Sequence, residues 1–352
     1  MSGQRAVGTA LRVVLMSSLV GMGATGPAHA ASDPVPAAGS SESADDVVQS
    51  MDPAELVRSM SIAMKTLNYE GDFVHVQGTH ITSMNILHSS DDNGELERMR
   101  SLDGEAREVY RNHSLVTCIW PASQSVVVSK SKPRELLPKV DADLAANKRY
   151  RFTMGEPDRV AGLITHVVNV TPADTFRYGY RFWIDRDTHM LLRSMLLDGQ
   201  RAVEQVMFTV IKYPESIDVA RFEVETDSEQ VSWLEPKKLQ ASSGLPEILA
   251  DQVDRVDFAN LPDGYREVSE TYSPMLPDSA PISHVMLSDG MASVSVYVEY
   301  VPLAEQSEGA AGLSSMGAMN AYGLSSENAF ITAVGEVPAD TVQAIANAVK
   351  IH

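Results

Sequence analysis

Residues able to do chemistry are present throughout this 352-residue chain, but few stand at the spacing chemistry needs. Gly21, Gly23 and Gly26 form a literal GxGxxG string. A dinucleotide-binding turn needs a strand before it and a helix after it, and this string lies instead in an apolar leader. His75, His80 and His88 would serve zinc only from facing strands with a fourth ligand, so strand or surface histidines are the simpler reading. The acidic pairs Asp45-Asp46 and Asp91-Asp92 fall in leader and turn contexts, where solvation accounts for them. Cys118 is the single cysteine, which excludes an intrachain disulfide; within Leu115–Trp120 it reads as a small buried hydrophobe. No GxxxxGK[ST], HExxH, GxSxG or CxxC string occurs. Without a nucleophile beside a base or an acid–base pair, the expectation is a binding protein with no catalytic residues, cofactor or metal.

Two groupings suit binding. Lys130, Lys132, Arg134, Lys139, Lys148, Arg149 and Arg151 stand against Glu135, Asp141 and Asp143, a local balance of +4 in an acidic chain. Such a segment is a solvated loop face or, more pointedly, a phosphate contact centred on Lys148, Arg149 and Arg151. The strand-like runs also supply Phe73, Met84, Ile86, Trp120, Phe152, Phe176, Tyr178 and Trp183. Most should be core, but a curled sheet closed only by helices leaves room for an acyl chain among them.

The elements that must position these residues follow from periodicity. Arg5 and Arg12 precede an apolar run, and Ala28-His29-Ala30 has the small-x-small form of a cleavage site, so residues 1–30 read as a signal peptide cut after Ala30. No other stretch approaches a membrane span, which predicts a soluble periplasmic protein. Loss of two arginines takes the formal charge from −19 to −21, against nucleic acid as a ligand. Residues 31–51 read as a disordered leader. Asp52-Pro53-Ala54-Glu55 starts an amphipathic helix with a capping-box pattern, carrying Leu56, Met60, Ala63, Met64 and Leu67 on one stripe. From Tyr69 to about residue 212 eleven short alternating runs predict an antiparallel meander curling toward a half-barrel, interrupted by residues 130–148.

This β-rich domain spans 52–228, a linker follows at 229–249, and a smaller α+β domain occupies 250–352. The fold class is therefore α+β, mostly antiparallel β. In the second domain, His284–Tyr300 alternates about Asp289-Gly290, predicting a two-residue hairpin turn that sets Leu287 opposite Ala292 and Val285 opposite Val294. Met286, Tyr297 and Glu299 then share the outward face. Residues 306–323 read as a Gly- and Met-rich loop with Met316, Met319 and Tyr322, and residues 338–350 as a closing helix.

Several stretches resemble the MucB/RseB periplasmic regulators of the envelope-stress sigma factor. They are Asn68–Val74, Asp158–Gly162, Arg177–Asp185, Leu191–Ser194 running to Leu196–Gly199, His284–Glu299 and Gly335–Pro338, in order over about residues 52–352. The resemblance implies a first domain similar to the LolA/LolB lipoprotein carriers, an unclosed β-barrel with covering helices. It implies binding to the periplasmic domain of a MucA/RseA-type anti-sigma factor, shielding from proteolysis, and release on a lipid or lipopolysaccharide signal. A homodimer is compatible with it. The partner contact expected here is Met286, Tyr297, Glu299, Met316, Met319 and Tyr322. The alternatives are a periplasmic carrier of lipoproteins or lipids, which needs only the first domain, and a polysaccharide hydrolase, which lacks a carboxylate pair.

Overall fold

The computed structural model describes residues 52–91, 94–113, 115–120, 125–130, 148–223, 232–234, 242–243, 256–274, 281–300, 311–326 and 328–351. The segments read as signal peptide and leader, and most of those read as basic segment and linker, lie outside these. Helix α1 (Pro53–Thr66) starts where the sequence predicts: the Asp52 side chain accepts a hydrogen bond from the Ala54 N–H at 3.0 Å, with Pro53 in the first turn. Glu55 pairs with Arg58 at 2.5 Å, one turn on, where a capping box would turn it back to the cap. Leu56, Val57, Met60, Ala63 and Met64 are buried.

Among the described residues twelve strands form one open sheet: β1 (Tyr69–Gln77), β2 (His80–Asp91), β3 (Gly94–Ser101), β4 (Glu108–Asn112), β5 (Leu115–Trp120), β6 (Ser125–Lys130), β7 (Tyr150–Val160), β8 (Leu163–Pro172), β9 (Gly179–Asp185), β10 (Leu191–Asp198), β11 (Arg201–Lys212) and β12 (Ser232–Leu234). Their order is β12-β6-β5-β4-β3-β2-β1-β11-β10-β9-β8-β7. All neighbours are antiparallel except β12 with β6. Each of the eleven predicted runs overlaps one of β1 to β11, because alternation marks a half-buried strand directly. The sheet curls enough for α1 to touch β2 and each of β7 to β10. At Gly71 a Cβ would meet the Val210 carbonyl oxygen at 2.4 Å, so the close approach of β1 and β11 needs glycine.

Beyond the short β13 (Ser242–Ser243) and β14 (Val256–Phe258) come β15 (Arg266–Pro274), β16 (Pro281–Ser288), β17 (Ser293–Glu299), β18 (Gly312–Met316), β19 (Met319–Ser325) and β20 (Phe330–Gly335). The second sheet runs β13-β15-β16-β17-β20-β19-β18. Helix α2 (Ala339–Ala348) packs on β18, β19 and β20, and β21 (Val349–Ile351) returns to pair with β14. Val285, Leu287, Val294, Val296, Val298, Ala333, Val342, Ile345 and Ala346 are fully buried and form the second core.

Two further expectations need correction here. The β16–β17 turn is longer than two residues: Ser288 faces Ser293, and Val294 faces Leu287 rather than Val285. Asp289 is buried, and its side chain accepts hydrogen bonds from the Met291 and Ala292 N–H groups, organising a four-residue turn. The error is two residues, an even number, so every side chain keeps its predicted face. Residues 312–323, read as loop, are instead β18 and most of β19. Their two-residue turn, Gly317-Ala318, has Gly317 at φ +63°.

Candidate functional site

The hairpin turns of the second sheet meet the first sheet in a buried polar joint. Arg177 lies just before β9, its side chain wholly buried, and its Nε donates to the Asp289 carboxylate at 2.5 Å. Its other nitrogens donate to Asp174 and to the Asp263 carbonyl. Tyr150, opening β7, donates its hydroxyl to the same Asp289 carboxylate at 2.9 Å. The Arg177 guanidinium also lies over the Tyr265 ring, 4.9 Å from its centroid. Burial by itself would lower the Arg177 pKa, but the Asp289 charge and hydrogen bond outweigh it and the net shift is upward. Burial first, then the adjacent Asp289 charge, pushes the Tyr150 phenol far above its ordinary value and keeps it a neutral donor.

Around this centre, Thr341 at the start of α2 donates to the Phe176 carbonyl at 2.9 Å, and the Tyr265 hydroxyl donates to it at 3.3 Å. Tyr178 donates to the Ala318 carbonyl at 3.3 Å, and the Asn320 amide donates to the Tyr178 hydroxyl at 3.1 Å and the Val337 carbonyl at 2.7 Å. Met291 and Ala318, from two turns of the second sheet, are buried in the core of the first. Arg149 donates to both oxygens of Asp263 at 3.1 Å, which holds that carboxyl below its usual range.

The expected phosphate contact is therefore divided. Arg149 is engaged across the joint, while Lys148 and Arg151 are exposed and the rest of the segment lies outside the described residues apart from Lys130 at the end of β6.

The residues expected to line a lipid cavity are divided as well. Register places Phe73, Met84, Ile86 and Phe152 on the sheet face that carries Phe182. Phe73, Met84 and Ile86 belong with Leu56, Val57 and Met60 of α1 to a single buried core, and Phe152 packs against it. Trp183 and Tyr178 belong to the same buried core; by register Trp183 points to the opposite face, under the Arg193 guanidinium at 4.1 Å, and its Nε1 donates to Asp158 at 2.9 Å. Tyr178 and Phe176 sit at the joint, the latter through its carbonyl. Trp120, at the end of β5, is half-buried and outside that core.

On the second sheet, cross-strand register brings Met286, Tyr297, Glu299, Met316 and Met319 to one face. Tyr322 faces the other way and packs on the second core, opposite Ala333. Tyr297 stacks on His284, its cross-strand partner, at 4.4 Å between ring centroids and 8° between planes. His284 Nε2 lies 3.0 Å from the Ser295 hydroxyl. Partial burial raises the Glu299 pKa. This surface is polar and aromatic at its middle and methionine-rich at its edge, a composition suited to an adaptable protein contact.

His75 pairs with Glu204 at 3.0 Å, and His88 is buried, stacked on Tyr69, with Nδ1 2.7 Å from the Leu67 carbonyl. Among the described residues no group of three or more His, Cys, Asp or Glu is placed to hold a metal ion. The joint is not legible in the sequence. Arg177 and Asp289 are 112 residues apart, and a DG turn reads as exposed; the one available signal was that each lies in a stretch resembling the same family.

Models of the MucB/RseB N-terminal domain and the MucB/RseB C-terminal domain match residues 52–232 and 251–350. The chain belongs to the MucB/RseB family. It is 29% identical over 315 residues to the sigma-E factor regulatory protein RseB of Salmonella typhimurium, covering 86% of this chain and 92% of that one. It is 26% identical over 322 residues to the sigma factor AlgU regulatory protein MucB of Pseudomonas aeruginosa, again covering 86% and 92%. Its fold is that of MucB crystallised in complex with MucA(peri), with a TM-score of 0.63 at 23% identity, covering 86% of this chain and 99% of that one. The MucA/MucB complex from Pseudomonas aeruginosa gives a TM-score of 0.64.

Proposed function

We propose that this protein is a periplasmic regulator that binds the periplasmic part of a membrane anti-sigma factor and shields it from proteolysis. The observation that carries this reading is likeness over both family-matched regions, in order, to regulators of sigma factors, one of which is crystallised with such a partner segment. A carrier would need only the first sheet. Here the second sheet is joined to it by a buried ion pair and two shared core residues, which supports a two-domain device. The proposed division is 52–228 and 250–352 about a linker at 229–249, after a signal peptide cut behind Ala30.

The partner surface proposed is the outer face of the second sheet, with Met286, Tyr297, Glu299, Met316 and Met319; Tyr322 acts beneath it as core. Release on a lipid signal then follows from linkage: a lipid that binds free protein better than complex weakens the complex by the same factor. Lys148 and Arg151 are the exposed cations proposed to meet its phosphates.

Calorimetric titration of residues 31–352 with the periplasmic segment of the anti-sigma factor, with and without lipopolysaccharide, tests both parts. Binding that lipopolysaccharide weakens supports the whole reading, and binding that ignores it removes the lipid half. Absence of binding in either condition returns the protein to the carrier class, for which lipid extraction from vesicles is the assay.

A further inference from the structure

Among the described residues the two long strands at sheet edges, β7 and β18, differ in a way that bears on recognition. Proteins blunt exposed edges with charge, proline and bulges, since a row of open N–H and C=O groups invites another strand. The β7 edge has all three devices. It carries Arg151, Glu156, Pro157, Asp158 and Arg159, and its register with β8 breaks between Gly155 and Asp158. The β18 edge, Gly312-Leu-Ser-Ser-Met316, has none of them, and all five residues are exposed.

Exposed large apolar side chains gather at this edge: Leu313 at 47%, Met316 at 56% and Met319 at 36%. The strand is also held firmly. Its turn buries Ala318 in the first core and packs Gly317 against Gln77, while the Ser315 hydroxyl donates to the Asn320 side-chain oxygen at 2.5 Å. An edge this rigid gives up little entropy when another strand is added.

We infer that β18 is an acceptor edge, to which an extended segment of the partner polypeptide adds as a further strand. This rests on the anti-sigma reading above and specifies how the segment is held. A two-residue turn closes on a hydrogen-bonded pair, here Met316 with Met319, so Ser314 and Met316 bond β19. Leu313 and Ser315 accordingly turn their N–H and C=O outward. Only an extended chain offers donors and acceptors at matching intervals, and the uncharged edge suits a segment of small and apolar residues. The edge is continuous with the joint at Gly317-Ala318, so an added strand lies beside the first sheet as well.

The test uses Leu313→Pro, which removes one outward N–H without touching the β18–β19 ladder, and Leu313→Ala, which keeps it. Residues 31–352 of each are titrated with the periplasmic anti-sigma segment, after thermal melts establish that both fold. The proline variant is expected to bind at least about tenfold more weakly, and the alanine variant within about threefold of wild type. Amide exchange at Leu313 and Ser315 is expected to slow when the segment binds to wild type. Equal binding by all three proteins, or unchanged exchange, overturns the edge assignment while leaving the function intact. Wild type that fails to bind instead refutes the function. Protection that grows with protein concentration in the absence of the segment assigns the edge to a second copy and overturns the partner assignment.

Discussion

At the residue scale the ion pair between Arg177 and Asp289 separates what sequence shows from what it hides. Both residues are legible as members of stretches resembling one family, yet charged side chains read as surface, and nothing local says that they meet. Neutralising the carboxylate by Asp289→Asn keeps the turn's side-chain oxygen but leaves the guanidinium with weaker partners. Urea unfolding should show a loss of about 3 kcal/mol, the low end for a broken buried pair, because Asp174 and the Asp263 carbonyl still face Arg177. The double variant with Arg177→Met should fall short of the sum of the singles by about 0.5–3 kcal/mol, and strict additivity would mean the pair is not coupled. Glu299 gives a prediction of opposite sign. Its folded pKa is raised above the ordinary 4.5 by burial, so its favourable contribution is complete below that value and is lost as pH rises through the folded pKa. Glu299→Gln should therefore stabilise the protein at pH 7, by no more than about 1 kcal/mol given its partial exposure, and the gain should vanish near pH 3. A variant that is destabilised at pH 7 would show a favourable carboxylate contact there.

At the element scale, strands were easy to read and turns were not. Period-two alternation is imposed by one buried face, so eleven runs of the first sheet are visible in the sequence without any knowledge of pairing. Pairing itself is set by turn chemistry, and there the sequence misled twice. Asp289-Gly290 suggests a solvated two-residue turn; in the folded protein Asp289 is drawn inward by Arg177 and Tyr150, and the turn widens to four residues. Gly312–Gly323 shows little alternation because one strand is wholly exposed, so composition suggested a loop. Deleting 306–323 would consequently remove β18 and most of β19, and point substitutions are the sounder probe. Helix α1 shows how fully periodicity encodes packing where one face is buried. Met60→Ala should cost about 2–5 kcal/mol, whereas Ile62→Ala, further around the helix and half-exposed, should stay within about 0.5 kcal/mol in the same denaturation assay. Similar losses at both positions would mean that the outer face of α1 is also covered.

At the scale of the whole molecule the question is whether two sheets behave as one body. The joint is built from turns, which are ordinarily the least stable parts of a sheet, but here they carry Met291 and Ala318 into the core of the other sheet and close a buried ion pair. Any signal read by one sheet must alter this joint to affect a partner on the other, since coupling requires an element that both sites bias. The Ala318→Asp substitution isolates that element. Ala318 is fully buried against the first sheet, and an unpaired carboxylate there costs several kcal/mol while removing little from the second core. Calorimetry of wild type should show one transition. The variant should show two, with the two sheets melting separately and the Arg177–Asp289 ion pair breaking in the first. A single transition at a lowered midpoint would mean that cooperativity runs through other contacts, and that a lipid effect on partner binding would have to act outside the joint.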